Sequence, residues 1–221
     1  MADIKKNKHT IGQLKTIYRI KKEEIALRLI EFKKIWSDRN DEAIFTELAF
    51  CLLTPQSKAK LCWDTVVQLR EQNLLMKGSS EQITEGLGRI RFKNKKAQYI
   101  IKARRLFPNY GRVSLKSLPG KFSDIYACRD WLVQNVDGFG YKEASHFLRN
   151  IGFGEKIAIL DRHILKNLNR LGVIKEIPKS LSKAKYLQIE KKMIEFSKQI
   201  DIPLSHLDLL LWYKETGEIF K

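Results

Sequence analysis

The sequence predicts an all-α protein of two helical lobes, and three observations carry that expectation. Apolar residues recur at three- and four-residue spacing through almost all of the 221 residues. Residues that start and stop helices punctuate these runs. Only IAIL, at 157–160, has strand-like composition, and one strand makes no sheet.

The elements follow in order. Ile25, Leu29, Phe32 and Trp36 fall on one face of KKEEIALRLIEFKKIW. DEAIFTELAFCLLT is apolar nearly all round, which predicts a buried helix ending before Pro55. Ser57 is placed to cap a helix through about Gln72. Helical patterns continue in KKAQYIIKARRLF, SDIYACRDWLVQNV, KEASHFLRNIG, RHILKNLNRLG and SKAKYLQIEKKMIEFSKQ. PLSHLDLLLWYKETG begins with proline near its first turn and stops at Gly217, the usual asymmetry of helix ends. The clearest break is PNYGRVSLKSLPGKF. These patterns lead us to expect a single unit over 1–221. Its lobes are built from about 50–140 and from 1–49 plus 141–221, with a cleft between them.

Composition narrows the partners. Hydrophobic residues at 43% and aromatics at 10% support a packed interior. Lys plus Arg number 42 against 25 acidic residues, a formal net charge of +17. A surplus of this size favours a polyanion over a merely solvated surface, because each neutralised phosphate releases counterions. Cys51, Cys62 and Cys128 form no CxxC pair, which excludes a readable zinc or iron–sulfur set and fits a reducing compartment. MADIKKNKHT lacks an apolar signal core, and no apolar run reaches the about 18 residues of a membrane span. The expectation is a soluble cytoplasmic protein that meets nucleic acid and no membrane.

One motif carries chemistry. VDGFGYK, at 136–142, lies between two predicted helices, so residues 123–151 read as a helix–hairpin–helix. Gly138 and Gly140 tolerate positive φ and close approach, so backbone N–H groups there can face a phosphate. The first turn of the next helix adds its own N–H groups and positive dipole end. The alternative is an ordinary helix–helix turn. Lys142 sits at that positive end, where dipole and basic surroundings disfavour an ammonium and favour a neutral amine. Asp161, in ILDRH, is placed to cap the helix that follows. A carboxylate held by backbone N–H groups stays ionised and suits charge developing on a sugar ring.

GFGYKEASHFLRNIG followed by ILDRHIL resembles the helix–hairpin–helix DNA glycosylases, whose signature is a glycine hairpin, a lysine and a downstream aspartate at this spacing. More narrowly, the chain looks like the compact type-2 8-oxoguanine DNA glycosylase/AP lyases. LLTPQSKAK, RFKNKKAQYI and HLDLLLWYKETGEIFK support this over roughly 40–221. Some relatives carry a four-cysteine cluster near the C-terminus; this sequence has none, which disfavours the endonuclease III-like branch.

The resemblance implies a monomer that acts on double-stranded DNA without metal or organic cofactor. Lys142 would attack the sugar of an everted nucleotide and Asp161 would be its acidic partner. The resulting imine would permit β-elimination at the abasic site. 8-Oxoguanine carries an N7–H where guanine has a lone pair, so a placed acceptor separates the two bases. The family supplies that acceptor from its terminal lysine, which Lys221 matches, and its stacking aromatic, which Trp212 matches. Asp208, one turn before Trp212, is a candidate acceptor for the Watson–Crick edge, and Phe92 a candidate second stacking face. Gln56 suits either a loop probing the opposite strand or a helix start. His146 and His163 read as packing or phosphate contacts. Two alternatives stay open: an oxidised-pyrimidine or mismatch glycosylase on the same scaffold, and a non-catalytic helix–hairpin–helix DNA-binding module.

Overall fold

The computed structural model describes residues 2–38, 40–107, 115 and 118–221, with side chains from residue 10 onward. The break expected around 108–122 therefore lies largely outside the described residues. Among them there is no strand. The chain opens with α1 (Ala2–Ser37), whose inward residues Leu14, Ile25 and Phe32 are buried. α2 (Asp41–Leu53) starts where Asn40 accepts from the N–H groups of Glu42 and Ala43. Every residue from Ile44 to Leu53 is buried, as an all-round apolar pattern requires. α3 (Ala59–Glu71) follows, then two short helices that the sequence pattern did not mark, α4 (Leu74–Lys77) and α5 (Ser80–Gly86). Both are too short for a face to repeat, but Ser79 and Gln82 form a capping box that starts α5.

α6 (Lys93–Leu106) and α7 (Ile125–Asn135) lead to the hairpin, and α8 (Tyr141–Asn150) leaves it. α9 (Arg162–Arg170), α10 (Lys183–Gln199) and α11 (Leu204–Thr216) complete the chain. The segment 157–160, strand-like in composition, is neither helix nor strand; it runs buried between α8 and α9. Two apolar clusters form. One joins α2, α3, α6, α7 and the inner face of α8 through Phe50, Val66, Ile100, Leu132 and Phe147. The other joins α1 to α9, α10 and α11 through Phe32, Leu168, Met193 and Leu210.

Ser57 does not cap α3. Lys58 occupies the cap position without a side-chain bond, and the Ser57 hydroxyl instead accepts from Lys96 Nζ at 3.1 Å. That ammonium also donates to the carbonyls of Leu53 (2.7 Å) and Pro55 (2.8 Å). It thereby holds the chain where it leaves α2, alongside Cys62 Sγ, which also donates to the Leu53 carbonyl. The three cysteines lie inside the core. Burial pushes the Cys62 thiol up to about 11 and that of Cys128 to about 12, and raises Cys51 further.

Candidate active site

A cleft of about 620 Å³ opens where the two apolar clusters meet. It is lined by the loop from α2 into α3, one face of α8, the first turn of α9, the middle of α11, and Lys221. Lys142, Asp161, Asp208, Trp212, Lys221 and Gln56 all reach it, although they come from five separate stretches of chain.

Lys142 arrives through the hairpin. Gly138 adopts φ of +90°, and a Cβ there would meet the Tyr99 ring at 2.5 Å, so glycine is required by both backbone and space. α8 then begins with Gly140 as its cap. The Gly140 N–H, expected on a phosphate, here donates to Glu143 Oε2 at 3.1 Å. Glu143, three residues on, reaches back and takes it. The Lys142 amine, partly buried, donates to Thr54 Oγ1 at 3.0 Å and lies 3.8 Å from Glu143 Oε1. Thr54 Oγ1 donates in turn to the Cys51 carbonyl at 3.0 Å. Its hydrogen is therefore committed, and its lone pairs hold the amine in place without taking its charge. Lys96 fixes the backbone on either side of that threonine.

Asp161 is the cap of α9, as its position in the sequence suggested: Oδ1 accepts the Ile164 N–H at 2.8 Å. Asp208 is buried, with its Oδ2 3.4 Å from Arg149 Nη1. Burial raises its carboxyl to about 6, and nearby Asp161 adds to the rise against the pull of Arg149. Trp212 is partly exposed, and His163 stands edge-on to it with ring centroids 5.3 Å apart. His146 is buried in the cleft wall. Burial, with the charges of Lys142 and Arg149, holds its pKa well below the usual value, so the ring is neutral.

Lys221 is no frayed end. Its ammonium bonds the buried Glu47 and stands 3.8 Å from the centroid of the Trp63 ring, an ion pair and a cation–π contact together. Glu47 also accepts from Asn150 Nδ2 at 2.9 Å. Phe92 behaves differently from the rest. It is 58% exposed, holds a left-handed backbone at the cap of α6, and does not line the cleft. Its ring packs against the Arg91 guanidinium at 5.6 Å.

Glu47, Thr54, Lys96 and Arg149 were not legible as site residues. The signal for Glu47 was a carboxylate in the middle of α2, set among the apolar residues that follow its acidic first turn, which demands a partner. Thr54 and Lys96 offered no such contradiction, since a threonine before proline and a lysine near a helix start are ordinary.

Comparison with known proteins supplies the family. A family model described as 8-oxoguanine DNA glycosylase matches residues 25–202. A Fusobacterium nucleatum protein named 8-oxoguanine DNA glycosylase/AP lyase is 44% identical over 218 residues, 99% of this chain and 100% of that one. One of the same name from Methanocaldococcus jannaschii is 40% identical over 90% of this chain and 93% of its own. The crystal structure of the Thermotoga maritima 8-oxoguanine DNA glycosylase superposes with a TM-score of 0.87 at 33% identity, covering 97% of this chain and all of that one. The M. jannaschii glycosylase/lyase in complex with a 15mer DNA containing 8-oxoguanine gives 0.84 at 36% identity over 95% of this chain and 100% of that one. With these matches across nearly its whole length, the chain belongs to the 8-oxoguanine DNA glycosylase family.

Proposed function

We propose that the protein excises 8-oxoguanine from duplex DNA and cleaves the resulting abasic site through an imine on Lys142. The observation that carries this reading is the convergence of Lys142, Asp161, Asp208 and Trp212 on a single cleft at the tip of a helix–hairpin–helix. A base inside a duplex cannot offer its sugar carbon to a side chain, so the nucleotide is everted at a cost of a few kcal/mol. Basic surface and the N-terminal turn of α8 offset that cost by holding phosphates.

Lys142, as the free amine, attacks C1′. The C1′–N9 bond breaks, its electron pair leaves with the base, and the base takes up a proton. The Asp161 carboxylate stabilises positive charge on the ring as that bond stretches. Ring opening gives the imine, which acidifies the C2′ hydrogen. Loss of that proton expels the 3′ phosphate, and hydrolysis returns the lysine. Trp212 supplies a stacking face, and Asp208 accepts from the Watson–Crick edge. Lys221, its side chain locked on Glu47 and Trp63, presents a main-chain oxygen as the acceptor for N7–H. Phe92, outside the cleft in the protein alone, is the element that would have to close over the base. All of this uses protein groups only.

The test is borohydride trapping on duplex containing 8-oxoguanine. The wild type should give a covalent protein–DNA adduct, and Lys142→Gln should give none. A normal adduct from that variant would place the nucleophile elsewhere.

A further inference from the structure

Between the helix that carries Lys142 and the segment that leads to Asp161 lies a buried polar hub. Arg129, on α7, is 1% exposed and Glu190, on α10, is 3% exposed. Arg129 Nη1 and Nη2 meet the two Glu190 oxygens at 2.6 and 2.8 Å, a bidentate pair. Nη1 also donates to Ser145 Oγ at 3.1 Å, one helical turn beyond Lys142. The guanidinium carbon stands 5.3 Å from the ring centroid of Tyr141, the residue before Lys142, and 5.6 Å from that of Tyr186. On the other side, Glu190 Oε1 accepts the Ala158 N–H at 2.8 Å. The Tyr186 hydroxyl donates to the Ala158 carbonyl at 2.6 Å and accepts the Leu160 N–H at 3.3 Å. It lies 3.3 Å from Ser145 Oγ, which closes the circuit.

Such a pair is a poor device for stability. Desolvating two charges offsets most of their attraction, and well-packed apolar groups commonly do as well. Here Arg129 Nε also lacks a partner, a further cost. Geometry is what the hub does supply. It ties Ser145, one turn past Lys142, to Ala158 and Leu160, just before Asp161, through hydrogen bonds, with the Arg129 guanidinium also against the Tyr141 ring.

We propose that Arg129, Glu190, Tyr186 and Ser145 are positioning residues that set Asp161 against Lys142. None of them lines the cleft. The inference rests on the excision mechanism above and makes a division that mechanism allows. Asp161 is needed while the glycosidic bond stretches and charge builds on the sugar. A preformed abasic site has no such bond; its open-chain aldehyde condenses with the Lys142 amine directly. Displacing Asp161 should therefore slow excision and spare abasic-site cleavage.

The test compares single-turnover rates on two duplexes, one with 8-oxoguanine and one with a preformed abasic site. The proteins are the wild type, Tyr186→Phe and Ser145→Ala, each variant deleting one hydroxyl and leaving the ion pair intact. Excision should fall about tenfold or more at saturating protein in both variants, with half-saturation unchanged and abasic cleavage within about twofold. Equal loss on both duplexes would mean a general structural role and overturn the proposal. Unchanged excision would overturn it as well. A wild type that cleaves the abasic duplex but releases no 8-oxoguanine would instead remove the parent reading, and this one with it.

Discussion

Asp208 shows how one residue's surroundings set a measurable pH dependence. Its carboxyl is raised to about 6 by burial; both of its oxygens only accept when it is ionised, and protonation turns one of them into an O–H donor. As pH falls through about 6 the acceptor becomes a donor and faces the base's own donors. The rate of 8-oxoguanine excision at low substrate should therefore decline on an acid limb near 6, whereas cleavage of a preformed abasic site should lack that limb. In Asp208→Asn the limb should vanish along with much of the preference for the oxidised base. A pH–rate profile on both duplexes decides it; an identical acid limb in the variant would assign the titration to another group. The sequence had exposed Asp208 through a contradiction, a charge on an apolar helix. Lys96, equally important to the site's geometry, contradicted nothing, and only folding showed that its ammonium ends α2.

At the scale of elements, the hairpin between α7 and α8 is the most constrained piece of backbone at the site. Gly138→Ala would force a side chain into φ of +90° and into the Tyr99 ring. We expect a loss of stability of roughly 1–3 kcal/mol, seen as a lower urea midpoint, with weaker binding to undamaged duplex. Wild-type stability in that variant would show that the ring moves aside freely. The long helices were legible because their faces repeat over several turns, as with Ile25 and Phe32 in α1 or the unbroken burial of Ile44–Leu53 in α2. α4 and α5 were not, since four and seven residues give a periodicity too little length to register. Ser57 failed as a cap because a tertiary partner, Lys96, outcompeted the local backbone for its oxygen. Asp161 succeeded: its Oδ1 takes the Ile164 N–H of the helix it starts.

Over the whole molecule, 42 basic residues against 25 acidic ones set the terms on which DNA is met. Binding to undamaged duplex should weaken roughly a thousandfold between about 50 and 200 mM salt, measured by fluorescence anisotropy. A shallow dependence would mean that few phosphates are contacted. Charge and the hairpin signature made the partner and the reaction class readable from the sequence. A cleft and several of its residues were readable, but not its full lining, Thr54 and Arg149 among it, because it forms from five distant stretches of chain. The buried thiols add a consequence for the setting in which such a protein works. The oxidants that convert guanine also attack sulfur, and they do so through the thiolate. With Cys51, Cys62 and Cys128 enclosed and held protonated at neutral pH, that chemistry finds almost no foothold. The repair protein is thus built to outlast the stress that creates its substrate.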